Sequence, residues 1–129
     1  IETALEMFRK QGSGHLVLIS SVLGNKGVAG AKAAYAASKA GVSSLGESLR
    51  AEYASGPITI TVIEPGYIES EMTARTAKTM LMVDNDTGVA KMVGAIEREK
   101  GRAIVPGWPW LPLVVMLKAL PPKFTKPFA

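Results

Sequence analysis

The chain has 129 residues, 47% of them hydrophobic and 20% charged, which is the composition of one ordinary globular domain and leaves no room for a repeat array or a low-complexity segment. Its net charge of +4 is scattered along the sequence without interleaved aromatics, a pattern of solvated surface that argues against a nucleic-acid groove. No cysteine and a single histidine exclude disulfides, thiolate chemistry and a histidine-based metal cluster, and are compatible with a reducing cytoplasm, the compartment expected here.

Residues 1–11 carry Ile1, Leu5 and Phe8 at helical spacing, with Ala4 and Met7 beside them, and Gly12-Ser13-Gly14 ends that pattern. The opening is amphipathic and charged, unlike a signal peptide. It begins at Ile1, inside a helical pattern. Residues 15–21 form a short continuous apolar run, expected as a strand buried on both faces. His15, at the start of this run, reads as a strand-end residue rather than a ligand. Residues 22–33 are rich in Gly and Ala and read as a loop, with Leu23 and Val28 expected to line a site.

The strongest helical pattern covers 34–54. Val42, Leu45 and Leu49 supply an apolar stripe, and Ala37, Gly41 and Gly46 are small enough to admit another backbone. Ser55-Gly56-Pro57 stops it, and the β-branched run 58–63 reads as a second strand, broken by Pro65-Gly66. A separation of about thirty-five residues containing a helix predicts a parallel crossover between the two strands. That places Ser21 and Pro65-Gly66 at one C-terminal sheet edge, where open α/β sheets bind ligands. Residues 70–83 contain Met72, Met80 and Met82, which suit an adaptable pocket or a core filler equally. Asp84 or Asp86 is expected to cap a helix with Val89, Met92, Val93 and Ile96 on its buried face. Residues 103–105 read as a third strand. The tail, 107–129, is apolar and Pro-rich. Pro112, Lys118 and Pro121-Pro122 interrupt it, so a membrane span is not expected, whereas packing on the domain, a subunit contact or a peripheral membrane contact all fit.

Tyr35 and Lys39 stand four residues apart, so on a helix they share one face, one turn apart. A free phenol titrates at roughly pH 10, too high for ready exchange at neutrality. A neighbouring ammonium and a helix N-terminus both favour the phenolate. With the Ser21 hydroxyl at a sheet mouth, these groups suit protonation of a carbonyl oxygen. By itself, Tyr-x-x-x-Lys equally describes a surface pair.

The run Leu16-Val17-Leu18-Ile19-Ser20-Ser21-x-x-Gly24, then Tyr35-x-x-Ser38-Lys39, then Pro65-Gly66 resembles the short-chain dehydrogenase/reductase family of the Tyr-x-x-x-Lys type. The resemblance covers most of 1–106. It implies an α/β, three-layer Rossmann-like fold with a parallel sheet, of which this chain is the C-terminal, catalytic half. The family's Gly-rich phosphate fingerprint and upstream asparagine are missing, and Gly24, Gly27 and Gly30 lie after the serine strand. The resemblance further implies an NAD- or NADP-dependent oxidoreductase acting on a small carbonyl or alcohol. Ser21 would orient the substrate carbonyl, and Tyr35 would be the general acid/base. Lys39 would hold the nicotinamide ribose and lower the pKa of Tyr35. Pro65, Gly66, Ile68 and Ser70 would contact the cofactor, Ser70 standing where threonine is more common. The region 70–83 would be a lid, and 34–54 the contact helix of a homodimer or homotetramer. The rival expectation is a truncated, catalytically inert relative acting as an assembly or binding module.

Overall fold

The computed structural model describes residues 1–68 and 82–128. Helix α1 spans Glu2–Gln11 and ends where Gly12 adopts φ 86, a left-handed conformation that a residue without Cβ takes easily. Strand β1 is Gly14–Ile19, helix α2 Ala33–Glu52 and strand β2 Ile58–Pro65. Helix α3 is Asn85–Glu97, strand β3 Arg102–Val105 and helix α4 Gly107–Ala119. The strands form a parallel sheet in the order β1-β2-β3. Its β1–β2 register runs from Gly14↔Ile58 to Ile19↔Ile63, so α2 is the crossover that the strand spacing predicts.

The period-two alternation of β2 sorts its side chains between two helical layers. Ile58 and Ile60 pack with Leu5, Leu18 and Leu49 under α1 and α2. Ile63 packs with Ala95, Ala103 and Val105 under α3. A third apolar cluster joins Val22, Leu23, Val28 and Ala36 to Trp110, Val114 and Phe128. The tail therefore docks onto the loop after β1 and the start of α2, through α4 and the 3-10 turn Pro122–Phe128. Among the described residues no helix is long and apolar enough to cross a membrane.

Several faces differ from the sequence expectation. β1 stops at Ile19, and Ser20 and Ser21 lie just past it. Leu18 is its one buried residue and Ile19 is 47% exposed, because β1 pairs only with β2 among the described residues. The loop 22–33 contains two 3-10 turns, Val22–Asn25 and Gly30–Lys32, and Leu23 and Val28 are core residues. On α2, Leu45 is 45% exposed. Gly46 faces the sheet instead, where a Cβ would collide with the side chain of Val62, so the smallness of Gly46 sets how closely helix and sheet approach. Gly41 has open space beside it. On α3 the buried positions are Gly88 and Ala95, with Met92 and Ile96 packed at the side, while Val89 and Val93 are exposed. Asp84, not Asp86, is the N-cap: it accepts from the backbone N–H of Thr87 at 2.9 Å. That bond holds the Asp84 carboxyl below the usual carboxylate range.

Candidate active site

The parallel register puts the end of β1 and the Pro65–Gly66 turn on one sheet edge. Ser20 N donates to Ile63 O at 2.8 Å, and Gly66 N donates to Val105 O at 2.8 Å. Ser21 follows directly. It is 7% exposed, and its Oγ accepts from Leu23 N at 3.2 Å, capping the 3-10 turn Val22–Asn25. Gly24 in that turn lies against α2: a Cβ there would come within 2.8 Å of the main-chain carbonyl carbon of Lys39. A glycine is thus needed for close approach, and the loop lies flat on the helical turn that carries Lys39.

Tyr35 occupies the first turn of α2, where the free N–H groups of a helix create partial positive charge. Its ring is 40% exposed, a high value for an aromatic at the mouth of a core. Lys39 follows one turn later, with Nζ 5.7 Å from the centroid of the Tyr35 ring, at the far edge of cation–π range. The ammonium also donates to Ile19 O at 3.0 Å, and the Lys39 main-chain carbonyl accepts from Ser20 Oγ at 2.7 Å. Two bonds therefore tie the Tyr35–Lys39 turn to the segment that ends in Ser21. Ser38 Oγ turns back onto Tyr35 O at 2.7 Å and is engaged within the helix.

Of the remaining expected positions, Pro65 ends β2 and Gly66 packs under the indole of Trp110. Ile68 forms a parallel bridge with Val83. Ser70 and most of the expected lid, 69–81, lie outside the described residues. His15 is not free: Nε2 is 2.7 Å from Thr61 Oγ1, across the sheet. A cavity of about 540 Å³ opens between Gly24–Ala29, the Ala33–Ala40 face of α2 and Thr125. None of Ser21, Tyr35 and Lys39 lines it. The Lys39 ammonium instead meets the end of β1 at Ile19 O, and geometry outweighs cavity size in locating the chemistry.

Sequence reasoning missed Tyr67 and Glu64. Burial pushes the Tyr67 phenol above the ordinary tyrosine range, and the nearby Tyr35 adds to the shift. Lys32 Nζ sits 5.4 Å from the centroid of the Tyr67 ring. The Tyr67 hydroxyl reaches Phe128 O at 3.5 Å, and Trp110 meets its ring edge-on at 5.3 Å between centroids. Tyr67 thus forms a wall beside Tyr35, backed by the tail. Glu64 is fully buried and paired with Arg102 at 2.9 Å. Its one sequence signal is a charge inside a β-branched strand.

Comparison with known proteins bears on the family and the fold. Residues 1–81 match the family model described as short chain dehydrogenase. An uncharacterized oxidoreductase of Mycobacterium tuberculosis is 74% identical over all 129 residues, which cover 51% of that protein. The 3-oxoacyl-[acyl-carrier-protein] reductase of Salmonella typhimurium is 42% identical over 72 residues, 56% of this chain and 29% of that one. A short chain dehydrogenase from Burkholderia cenocepacia, solved in complex with NADP, superposes with a TM-score of 0.71 at 21% identity, covering 93% of this chain and 53% of that one. At that identity the superposition speaks for the fold. The chain spans about half the length of the M. tuberculosis relative that it matches end to end.

Proposed function

The chain belongs to the short-chain dehydrogenase family, and from that premise we propose that it is the catalytic half of an NAD(P)-dependent oxidoreductase that interconverts a small carbonyl compound and its alcohol. The observation that carries this reading is the Tyr35–Lys39 turn, bound to the end of β1 through both the ammonium and the main-chain carbonyl of Lys39. The residues present suit a nicotinamide dinucleotide. An exposed phenol, an ammonium and the Pro65–Gly66 turn stand at the C-terminal edge of a parallel sheet, the edge at which such sheets take dinucleotides.

When bound, the nicotinamide supplies the hydride chemistry; the work of this chain is positioning and proton transfer. Ser21 presents its hydroxyl to the substrate oxygen. Tyr35 gives its phenolic proton to that oxygen in reduction and withdraws it in oxidation. Lys39, its ammonium 5.7 Å from the centroid of the Tyr35 ring, would hold the ribose. By resemblance to the family, the Pro65-Gly66 segment would contact the cofactor, Ile68 would offer backbone groups to the carboxamide, and Ser70, outside the described residues, would serve at the pyrophosphate. Tyr67, with its raised proton affinity, stays neutral and forms a wall of the substrate side. NAD and NADP are distinguished outside these residues. The exposed face of α2, which includes Leu45 and Gly41, is assigned to self-association as a homodimer or homotetramer.

The second reading, an inert assembly module, draws on the edge of β1 that has no partner strand among the described residues. Dinucleotide-dependent turnover of a panel of small ketones by the complete enzyme of which this chain is the catalytic half, measured for wild type and Tyr35→Phe, separates the two. General acid/base catalysis contributes about 10²–10⁴-fold, so the Phe variant is expected to lose at least about a hundredfold in kcat while still binding the dinucleotide. A Phe variant that retains more than about a tenth of the rate removes Tyr35 from this role.

A further inference from the structure

We propose that Ser43 and the buried Glu64 are positioning residues that fix the Lys39 turn against the Ser20–Ser21 segment; the catalytic meaning of this role rests on the functional reading above. Glu64 stands one residue before Pro65 on β2 and has no solvent exposure. A buried carboxylate requires partners on both of its oxygens. Oε2 accepts from Asn25 Nδ2 and from Arg102 Nη2, each at 2.9 Å. Oε1 accepts from Ser43 Oγ at 2.9 Å. Ser43 Oγ lies 2.7 Å from Ser20 Oγ, which in turn reaches the main-chain oxygen of Lys39 at 2.7 Å.

The path therefore runs from β3 and β2, through Ser43 and Ser20, to the residue that supplies the ammonium. Its geometry is not incidental to the helix. Ser43 is one turn beyond Lys39, so in an α-helix its own N–H points at the Lys39 carbonyl that the Ser20 hydroxyl also approaches. Lys39 is thus gripped twice by one short segment, at Nζ by Ile19 O and at its carbonyl by Ser20. Each hydroxyl carries a single proton, so two protons serve three short contacts, and turning either hydroxyl changes the bonding of the other. The group acts as one unit. Its far end is anchored by Arg102, which also donates to Asn25 Oδ1 and so ties in the 3-10 turn that follows Ser21.

A cavity of about 250 Å³ adjoins this network, lined by Asn25, Ser43, Glu64 and Arg102 among others. It leaves room for a methyl group at position 43, which makes a conservative variant practicable. The test uses the complete enzyme in three forms: wild type, Ser43→Ala and Ser43→Thr. Amide hydrogen exchange is followed by mass spectrometry, alongside kcat with saturating dinucleotide and ketone. Removing the Ser43 hydroxyl strands Glu64 Oε1 and frees Ser20 to turn. Exchange across 36–43 is expected to quicken about tenfold, with 47–52 unchanged, and kcat to fall about tenfold. Ser43→Thr keeps the hydroxyl and is expected to match wild type in both measurements. Glu64→Gln, which keeps the shape, is expected to show a weaker form of the Ala behaviour.

Unchanged exchange over 36–43 in Ser43→Ala overturns the proposal, as does a kcat loss that Ser43→Thr fails to restore. Should the wild-type complete enzyme show no dinucleotide-dependent turnover at all, the functional reading falls, and the exchange result alone decides whether the network holds the Lys39 turn.

Discussion

Substituting Trp110 by Phe and by Ala separates two opposed effects of one indole. Trp110 is 1% exposed and packs with Val22, Leu23, Val114 and Phe128, with Tyr67 against its face or edge and Gly66 beneath it. A buried indole removes about 200 Å² from water, which at about 25 cal/mol per Å² corresponds to about 5 kcal/mol. Against this, its Nε1–H is buried with no hydrogen-bond partner among the described residues, a penalty of about 1–3 kcal/mol. Trp110→Ala forfeits the burial and relieves the penalty, so the expected net loss is about 2–4 kcal/mol. That falls at the lower end of large-to-small core substitutions. Trp110→Phe keeps most of the ring area and also relieves the penalty; its expected cost is below about 1 kcal/mol. Urea unfolding of the full chain reads both as midpoint shifts at constant m. Because the indole backs Gly66, the Ala variant is also expected to bind dinucleotide more weakly than the Phe variant. If Phe proves as damaging as Ala, the unpartnered N–H is not a liability and the reasoning fails.

Three further outcomes are expected. Gly46→Ala should destabilise by about 1–3 kcal/mol, since its Cβ meets Val62; a stabilised variant in thermal unfolding would mean that α2 can lift off the sheet without loss. Tyr67 favours its neutral form in the fold, so the stability it contributes is complete below the unfolded tyrosine range, near pH 10, and is lost as pH rises through its raised folded value. Alkaline unfolding followed by tyrosinate absorbance should therefore lose one late-titrating phenol and part of its pH slope in Tyr67→Phe; an unchanged titration curve would refute the burial argument. In the 129-residue polypeptide β1 has no partner on one side among the described residues, and Ile19 is 47% exposed; such edges pair with other chains. The polypeptide is expected to self-associate and to bind NAD(P) weakly, and calorimetry finding micromolar affinity in a monomer by sedimentation would contradict this.

Local pattern alone determined the order of elements as far as β3, the parallel crossover and the Tyr35–Lys39 pairing, because each depends on short-range periodicity or on the distance between apolar runs; it does not disclose the helix α4 of the tail. The 3.6-residue period places Tyr35 and Lys39 on one face whatever they pack against. The β-branched run of β2 and the Gly and Pro residues around it mark a strand without any knowledge of its neighbours. Local pattern leaves the cap of α3 open between Asp84 and Asp86; the structure selects Asp84, whose carboxylate accepts from Thr87 N. Tertiary structure decided which helical face is buried and which polar groups are held. Leu45 and Gly46 are adjacent in sequence, and hydrophobicity favours burying Leu45. The sheet takes Gly46, because Val62 fills the space that a larger residue would need. Val89 and Val93 are displaced to the exposed side of α3 in the same way, by the small Gly88 and Ala95. Glu64 is the sharpest case. Its partners Asn25, Ser43 and Arg102 lie 39, 21 and 38 residues away, so no local window contains the reason that a carboxylate is tolerated there. A charge can be buried only where several distant donors converge on it, and that convergence exists only once the sheet, α2 and the loop after β1 have come together.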